Sequence, residues 1–94
     1  MAYCAKVDEK NIVTDVIVID DFPEIEMQSY IKNTLGLSGK WIKASDNSSF
    51  RYNYPSPGYY WDETANPDGA FIPPKIDDSL VLNKVTYRWE LPGL

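Results

Sequence analysis

From its second residue the chain alternates. Tyr3, Ala5 and Val7 fall on one side, Cys4 and Lys6 on the other, which is the period of a strand. A polar connection, Asp8-Glu9-Lys10-Asn11, leads into residues 12–19, which are rich in β-branched side chains. The two segments predict an antiparallel hairpin. Beyond Asp15 the second strand is apolar at every position to Ile19. Such a strand is expected at the centre of a sheet, covered on both faces.

Asp21-Phe22-Pro23-Glu24 reads as a helix start: Asp21 can cap, Pro23 suits the first turn and Glu24 stands where a capping box places an acid. The helix should run to about Leu35, with Gly36 closing it and Leu37 folding back. Met27, Tyr30, Ile31 and Leu35 share one face, while Phe22 and Ile25 fall on another.

Residues 40–45 predict a third strand, and Asp46-Asn47-Ser48-Ser49 a turn. Phe50-Arg51-Tyr52-Asn53-Tyr54 alternates again and predicts a fourth strand with three rings on one face. Pro55-Ser56-Pro57-Gly58 breaks the chain. Two aromatic hairpins follow. Tyr60-Trp61-Asp62-Glu63-Thr64 turns through Asn66-Pro67-Asp68-Gly69 into Ala70-Phe71-Ile72-Pro73. Val81-Leu82-Asn83-Lys84-Val85-Thr86 turns tightly into Tyr87-Arg88-Trp89-Glu90-Leu91-Pro92. Each copy is a strand, a polar turn carrying a Thr, a strand with a large ring, then Pro.

The predicted fold class is α+β. A small antiparallel sheet carries one helix (residues 1–57), and two C-terminal aromatic hairpins extend from it (residues 58–94) within a single domain. Short hairpins do not stand alone in water. They must pack on the sheet, on each other or on another subunit.

Charge narrows the partners. The formal net charge is −5 and the basic residues are scattered, which argues against binding a phosphate backbone. The longest apolar run, Val16-Ile17-Val18-Ile19, is far short of a membrane span. With one cysteine, Cys4, no intrachain disulfide can form. Cys4 reads as a small buried residue rather than a reactive thiol.

Candidate chemistry is sparse. Histidine is absent, which removes the usual general base, the Ser-His and Cys-His pairs and most zinc sites. No glycine-rich phosphate loop occurs. Asp62 and Glu63 beside Trp61 have the residue types of a glycosidase pair, yet Asp-Glu-Thr is ordinary turn material. Asp20-Asp21 and Asp77-Asp78 lack the spaced oxygen loop of a calcium site. Asn47-Ser48-Ser49 matches a glycosylation acceptor but reads as a plain turn. No enzyme, cofactor or metal is expected.

The aromatic residues carry more weight. Trp41, Phe50, Tyr52, Tyr54, Tyr59, Tyr60, Trp61, Phe71, Tyr87 and Trp89 are many rings for one sheet and one helix. The surplus is expected at the surface, where Tyr and Trp give rigid contact area. Tyr59, Trp61, Phe71, Tyr87 and Trp89 form the expected protein-contact set. Pro73, Pro74 and Pro92 end strands and cannot donate to a neighbouring one.

Several segments together resemble a known group. Ala5-Lys6-Val7-Asp8-Glu9-Lys10-Asn11-Ile12-Val13-Thr14 opens it, and Lys40-Trp41-Ile42-Lys43-Ala44-Ser45, Phe50-Arg51-Tyr52-Asn53-Tyr54 and Gly58-Tyr59-Tyr60-Trp61-Asp62-Glu63 follow. Ala70-Phe71-Ile72-Pro73-Pro74-Lys75 and Tyr87-Arg88-Trp89-Glu90-Leu91-Pro92 complete the set. Across nearly its whole length the chain resembles small proteins encoded by marine bacteriophages, cyanophages especially. It departs after Lys75, where relatives often carry Pro-x-Pro-Ser-Trp and this chain has Ile76-Asp77-Asp78-Ser79-Leu80. Similar terminal hairpins resemble parts of phage tail and virion accessory proteins.

The resemblance implies a non-enzymatic virion component, made in the bacterial cytoplasm and carried on a tail, neck or capsid surface. Its partners would be other virion proteins or copies of itself in a symmetric assembly, with neither nucleic acid nor membrane involved. Two other readings stand beside it. One is an early phage protein that binds a host protein through its acidic surface. The other is a small carbohydrate-binding module stacking sugars on exposed rings.

Overall fold

The structure is a computed structural model that describes residues 1–93. Its elements are β1 (Ala2–Val7), β2 (Val13–Ile19), α1 (Glu24–Asn33), β3 (Lys40–Ala44), β4 (Tyr60–Asp62), β5 (Ala70–Ile72), β6 (Val81–Asn83) and β7 (Arg88–Glu90). The first three strands form an antiparallel sheet in the order β2-β1-β3, and β4-β5 and β6-β7 are separate two-stranded ribbons. The α+β class expected from the sequence is the one observed.

The centre of the sheet is β1 and not β2. The reason lies in side-chain size. Ala2, Cys4 and Ala5 on β1 are almost fully buried, so layers approach closely on both of its faces. On one face α1 covers Ala2, Cys4, Ile19 and Trp41 with Met27 and Ile31. On the other, Trp61 and Phe71 of β4 and β5 cover Ala5, Val7, Val13, Ile42 and Ala44. The bulky β-branched strand β2 lies at the edge, where Val18 is exposed and Val16 and Ile17 are half-buried.

The first hairpin is thus a layer of the core, and the core continues past residue 57. The back of β5 carries a further layer. Ala70 and Ile72, with Ala65, pack against Tyr87, Leu82 and Trp89. The molecule is a stack of helix, sheet, hairpin and hairpin, 48 × 23 × 19 Å. This stacking buries Trp41, Trp61, Phe71 and Tyr87, while Phe50, Tyr54 and Tyr60 stay exposed.

Residues 50–54 do not form a strand. Arg51 and Tyr52 take positive φ angles of 57° and 66°, which breaks any ladder. The helix also starts differently. Pro23 occupies the cap with ψ 147° and no side chain caps the helix. The Asp21 carboxylate instead meets the Met1 amino group at 2.9 Å. At the other end Gly36, with φ 70°, lets the Leu37 N–H reach the Ile31 carbonyl at 3.1 Å, as expected of a terminating glycine.

Candidate contact surface

The irregular segment 50–54 organises the stack. Arg51 has a side chain that is 14% exposed and reaches four places. Its guanidinium donates to both Glu24 carboxylate oxygens, at 2.6 and 2.9 Å. It also donates to the carbonyls of Lys43, at 2.7 Å, and Asp68, at 3.0 Å. Its carbon centre lies 5.1 Å from the Trp61 ring centroid, a cation–π distance. Helix, sheet edge and first hairpin are fixed by one planar cation.

Glu24 answers from the helix start. Burial pushes its carboxyl group up, but hydrogen bonds from Arg51 and the Lys43 N–H, with the charges of Arg51 and Lys43, outweigh this and hold it below its ordinary value. Asn53 holds the outer layer. Its buried amide donates to the carbonyls of Phe71 at 2.8 Å and Tyr87 at 2.9 Å, and its oxygen accepts from Arg88 Nε at 3.2 Å.

None of the five residues expected as a contact set is fully exposed. Trp61, Phe71 and Tyr87 are 4%, 0% and 8% exposed and belong to the core. Trp61 stacks on Phe71 with centroids 4.8 Å apart, and Tyr87 stacks on Tyr52 at 4.5 Å. Tyr59 and Trp89 are half-buried, and Trp89 is tied down by its indole N–H to the Pro73 carbonyl at 2.6 Å. The periodic placement of rings was legible, but what covers them was not.

The rings that are exposed are others, Phe50, Tyr54 and Tyr60, and the most exposed apolar side chains of the second hairpin are aliphatic. Ile76 is 88% exposed, Val85 80%, Leu91 57% and Val81 49%. All four belong to the second hairpin or its approach. Ile76 also lines an open groove of ≈ 310 Å³, with Pro73, Pro74, Leu80, Arg88 and Trp89. Lys75 stands over its Trp89 wall, with Nζ 5.3 Å from the ring centroid. Sequence reasoning missed these residues. The available signal was a valine at the tip of a polar turn and an isoleucine between Lys75 and Asp77.

The other candidates take structural places. Asp62 accepts the backbone N–H and the hydroxyl of Thr64, at 3.0 and 2.6 Å, which ties its own turn. Glu63 is exposed and lies 3.7 Å from Lys40 Nζ. The two carboxylates therefore have separate partners at a hairpin tip. Asp77 repeats the turn motif with Ser79, and those two hydrogen bonds hold its carboxyl group low. Ser45, Asn47 and Ser49 join hydroxyl to amide oxygen in a turn, as their composition suggested. Cys4 is fully buried with Sγ 3.1 Å from Met27 Sδ, and burial pushes its thiol up to about 11. Among the described residues no cluster of acidic or cysteine side chains is placed to hold a metal, and no helix is long and apolar enough to cross a membrane.

Comparison of the chain with known protein families, with characterised proteins and with solved structures finds no match.

Proposed function

We propose that this chain is a non-catalytic assembly component of a bacteriophage particle, docking through its second hairpin on another virion protein. The observation that carries this reading is the exposure of four aliphatic side chains, Ile76, Val81, Val85 and Leu91, on the second hairpin and its approach, with Ile76 lining the groove beside Trp89. These side chains have no further layer of the chain to cover them. Burying one such side chain is worth roughly 1.5–3 kcal/mol, so a few of them can anchor a contact even after the costs of association. The groove is framed by prolines 73 and 74, which present no N–H and discourage strand addition there. A side-chain contact suits such a surface better than β-pairing does.

The segment resemblance to small cyanophage proteins agrees with an assembly role. So does the use of the charged side chains. Arg51, Glu24 and Asp62 all have partners that hold the fold together. The test is mass spectrometry of purified particles from the lysate in which the protein is made. The reading expects the chain in the particles, and expects Ile76→Lys and Val85→Lys to remove it while leaving it folded. Recovery on one host protein, with none in particles, would overturn it.

A further inference from the structure

The two edges of the three-stranded sheet are finished differently. On β3 three of the outward groups of Trp41 and Lys43 are taken. The Trp41 N–H donates to Gln28 Oε1 at 2.6 Å and the Lys43 N–H to Glu24 Oε2 at 2.9 Å. The Lys43 carbonyl accepts from Arg51 at 2.7 Å. No strand can add there. On β2 the edge is closed at its start, where Val13 exchanges hydrogen bonds of 2.8 Å with Tyr59 and Gly58.

The registers show which groups remain. Trp41 and Lys43 face outward, so their partners Lys6 and Cys4 turn their N–H and C=O toward β2. Lys6 pairs with Asp15 and Cys4 with Ile17, so Asp15 and Ile17 bond inward. Val16 and Val18 therefore aim their N–H and C=O away from the sheet. Among the described residues no turn, loop or side-chain hydrogen bond reaches them. From Val16 to Ile19 the usual guards of an edge are missing. This run has no Pro and no charged side chain; Asp15 and the irregularity in β1–β2 pairing, between Val13 and Asp15, lie before it.

We propose that β2 pairs antiparallel with β2 of a second copy, about a two-fold axis at Ile17, giving one continuous six-stranded sheet. In that register Ile17 faces Ile17, Val16 faces Val18, Asp15 faces Ile19 and Thr14 faces Asp20. The open stretch, residues 14–19, is used along its whole length. It ends at Val13, which is already occupied. Each Asp15 has the second copy's Asp20 next to it, opposite Thr14, but on the other face of the sheet; the two Asp15 side chains are separated by about 13 Å along the strands, at ~3.3 Å per residue. That exceeds the Debye length of about 8 Å in physiological salt. A shift by two residues one way sets Asp15 against Asp21. The other way it sets Ile19 against the blocked Val13. The period of two also keeps both helices on one face and both hairpin stacks on the other. The inference does not rest on the proposed function, because a different element carries it.

The test is disulfide trapping in the full chain. Ile17→Cys puts two thiols at a non-hydrogen-bonded pair with Cα atoms about 4.5 Å apart, within disulfide reach. Oxidation should give a covalent species of twice the 10.7 kDa chain mass, whereas Asp15→Cys should not. Cys4 is buried and will not compete. The unmodified chain should sediment as a dimer, with slow amide exchange at Val16 and Val18. Val85→Lys should leave that dimer intact. A chain that stays monomeric up to its solubility limit, or fast exchange at those two amides, would overturn the proposal. So would equal trapping through Asp15→Cys.

Discussion

Arg51 and Glu24 meet in a two-point ion pair, with nitrogen–oxygen distances of 2.6 and 2.9 Å, that joins the helix start to a segment 27 residues away. A planar fork fits a carboxylate at two points, and an ammonium cannot. Arg51→Lys also loses the bond to the Asp68 carbonyl and the stack on Trp61. It should cost about 2–3 kcal/mol, below the ~3–5 of a fully buried pair because the Glu24 side chain is 41% exposed. Urea unfolding measures this, and a loss within about 0.5 kcal/mol, the scatter of ordinary surface changes, would contradict the role.

The same pair sets a pH dependence. Glu24 has its carboxyl group held below an ordinary value of 4.5 in the folded chain. A depressed acid stabilises the fold fully above its unfolded value and loses that contribution as pH falls through the folded value. The stability difference between the unmodified chain and Glu24→Gln should therefore hold steady from neutral pH down to the ordinary value and shrink below it. Denaturation at a series of pH values checks the sign. A difference that grows in acid would be the wrong sign.

Gly69 is fixed by Trp61. Its φ is 91°, and a Cβ there would overlap the far edge of the Trp61 ring. Gly69→Ala must displace a ring that is itself packed on Phe71. Backbone strain and overpacking together should cost at least about 2 kcal/mol. Thermal unfolding should fall accordingly, and tryptophan fluorescence should report a disturbed ring.

Asn53 should act locally. Asn53→Ala leaves the carbonyls of Phe71 and Tyr87 without that donor and frees Arg88. The expected cost is roughly 1–3 kcal/mol. Amide exchange should quicken most in β6–β7, whose attachment depends on Asn53, and least in β1. Uniform acceleration across the chain would mean that the outer hairpin is not a separate layer.

Much of this fold was legible because it is written locally. Alternation marked β1, the β-branched run marked β2, residues 40–45 read as the strand that became β3, Gly36 marked the helix end, and turn residues bounded both hairpins. What failed depends on what lies across space. β2 read as central because it is apolar on both faces beyond Asp15, whereas the small side chains Ala2, Cys4 and Ala5 put β1 there. Residues 50–54 alternated like a strand, but the reach of Arg51 to Glu24 and of Asn53 to Phe71 and Tyr87 is served by two left-handed residues. Asp21 looked like a cap, yet the Met1 amino group meets it. Some rings do stay exposed, Phe50, Tyr54 and Tyr60, but they are not the ones expected: Trp61, Phe71 and Tyr87 are buried by layer on layer of this chain. The exposure of Ile76 and Val85 escaped notice because isolated aliphatics carry no period.

The proposed attachment to a particle runs through the aliphatic side chains of the second hairpin and not through its rings. The most direct measurement is the copy number of the chain in purified particles, compared between the unmodified protein and Val85→Lys. Val85 is 80% exposed and touches no core cluster, so this change should leave stability within about 0.5 kcal/mol. The account predicts a fixed copy number per particle for the unmodified chain and near-complete loss for the variant. Equal copy numbers for both, or none for either, would contradict it.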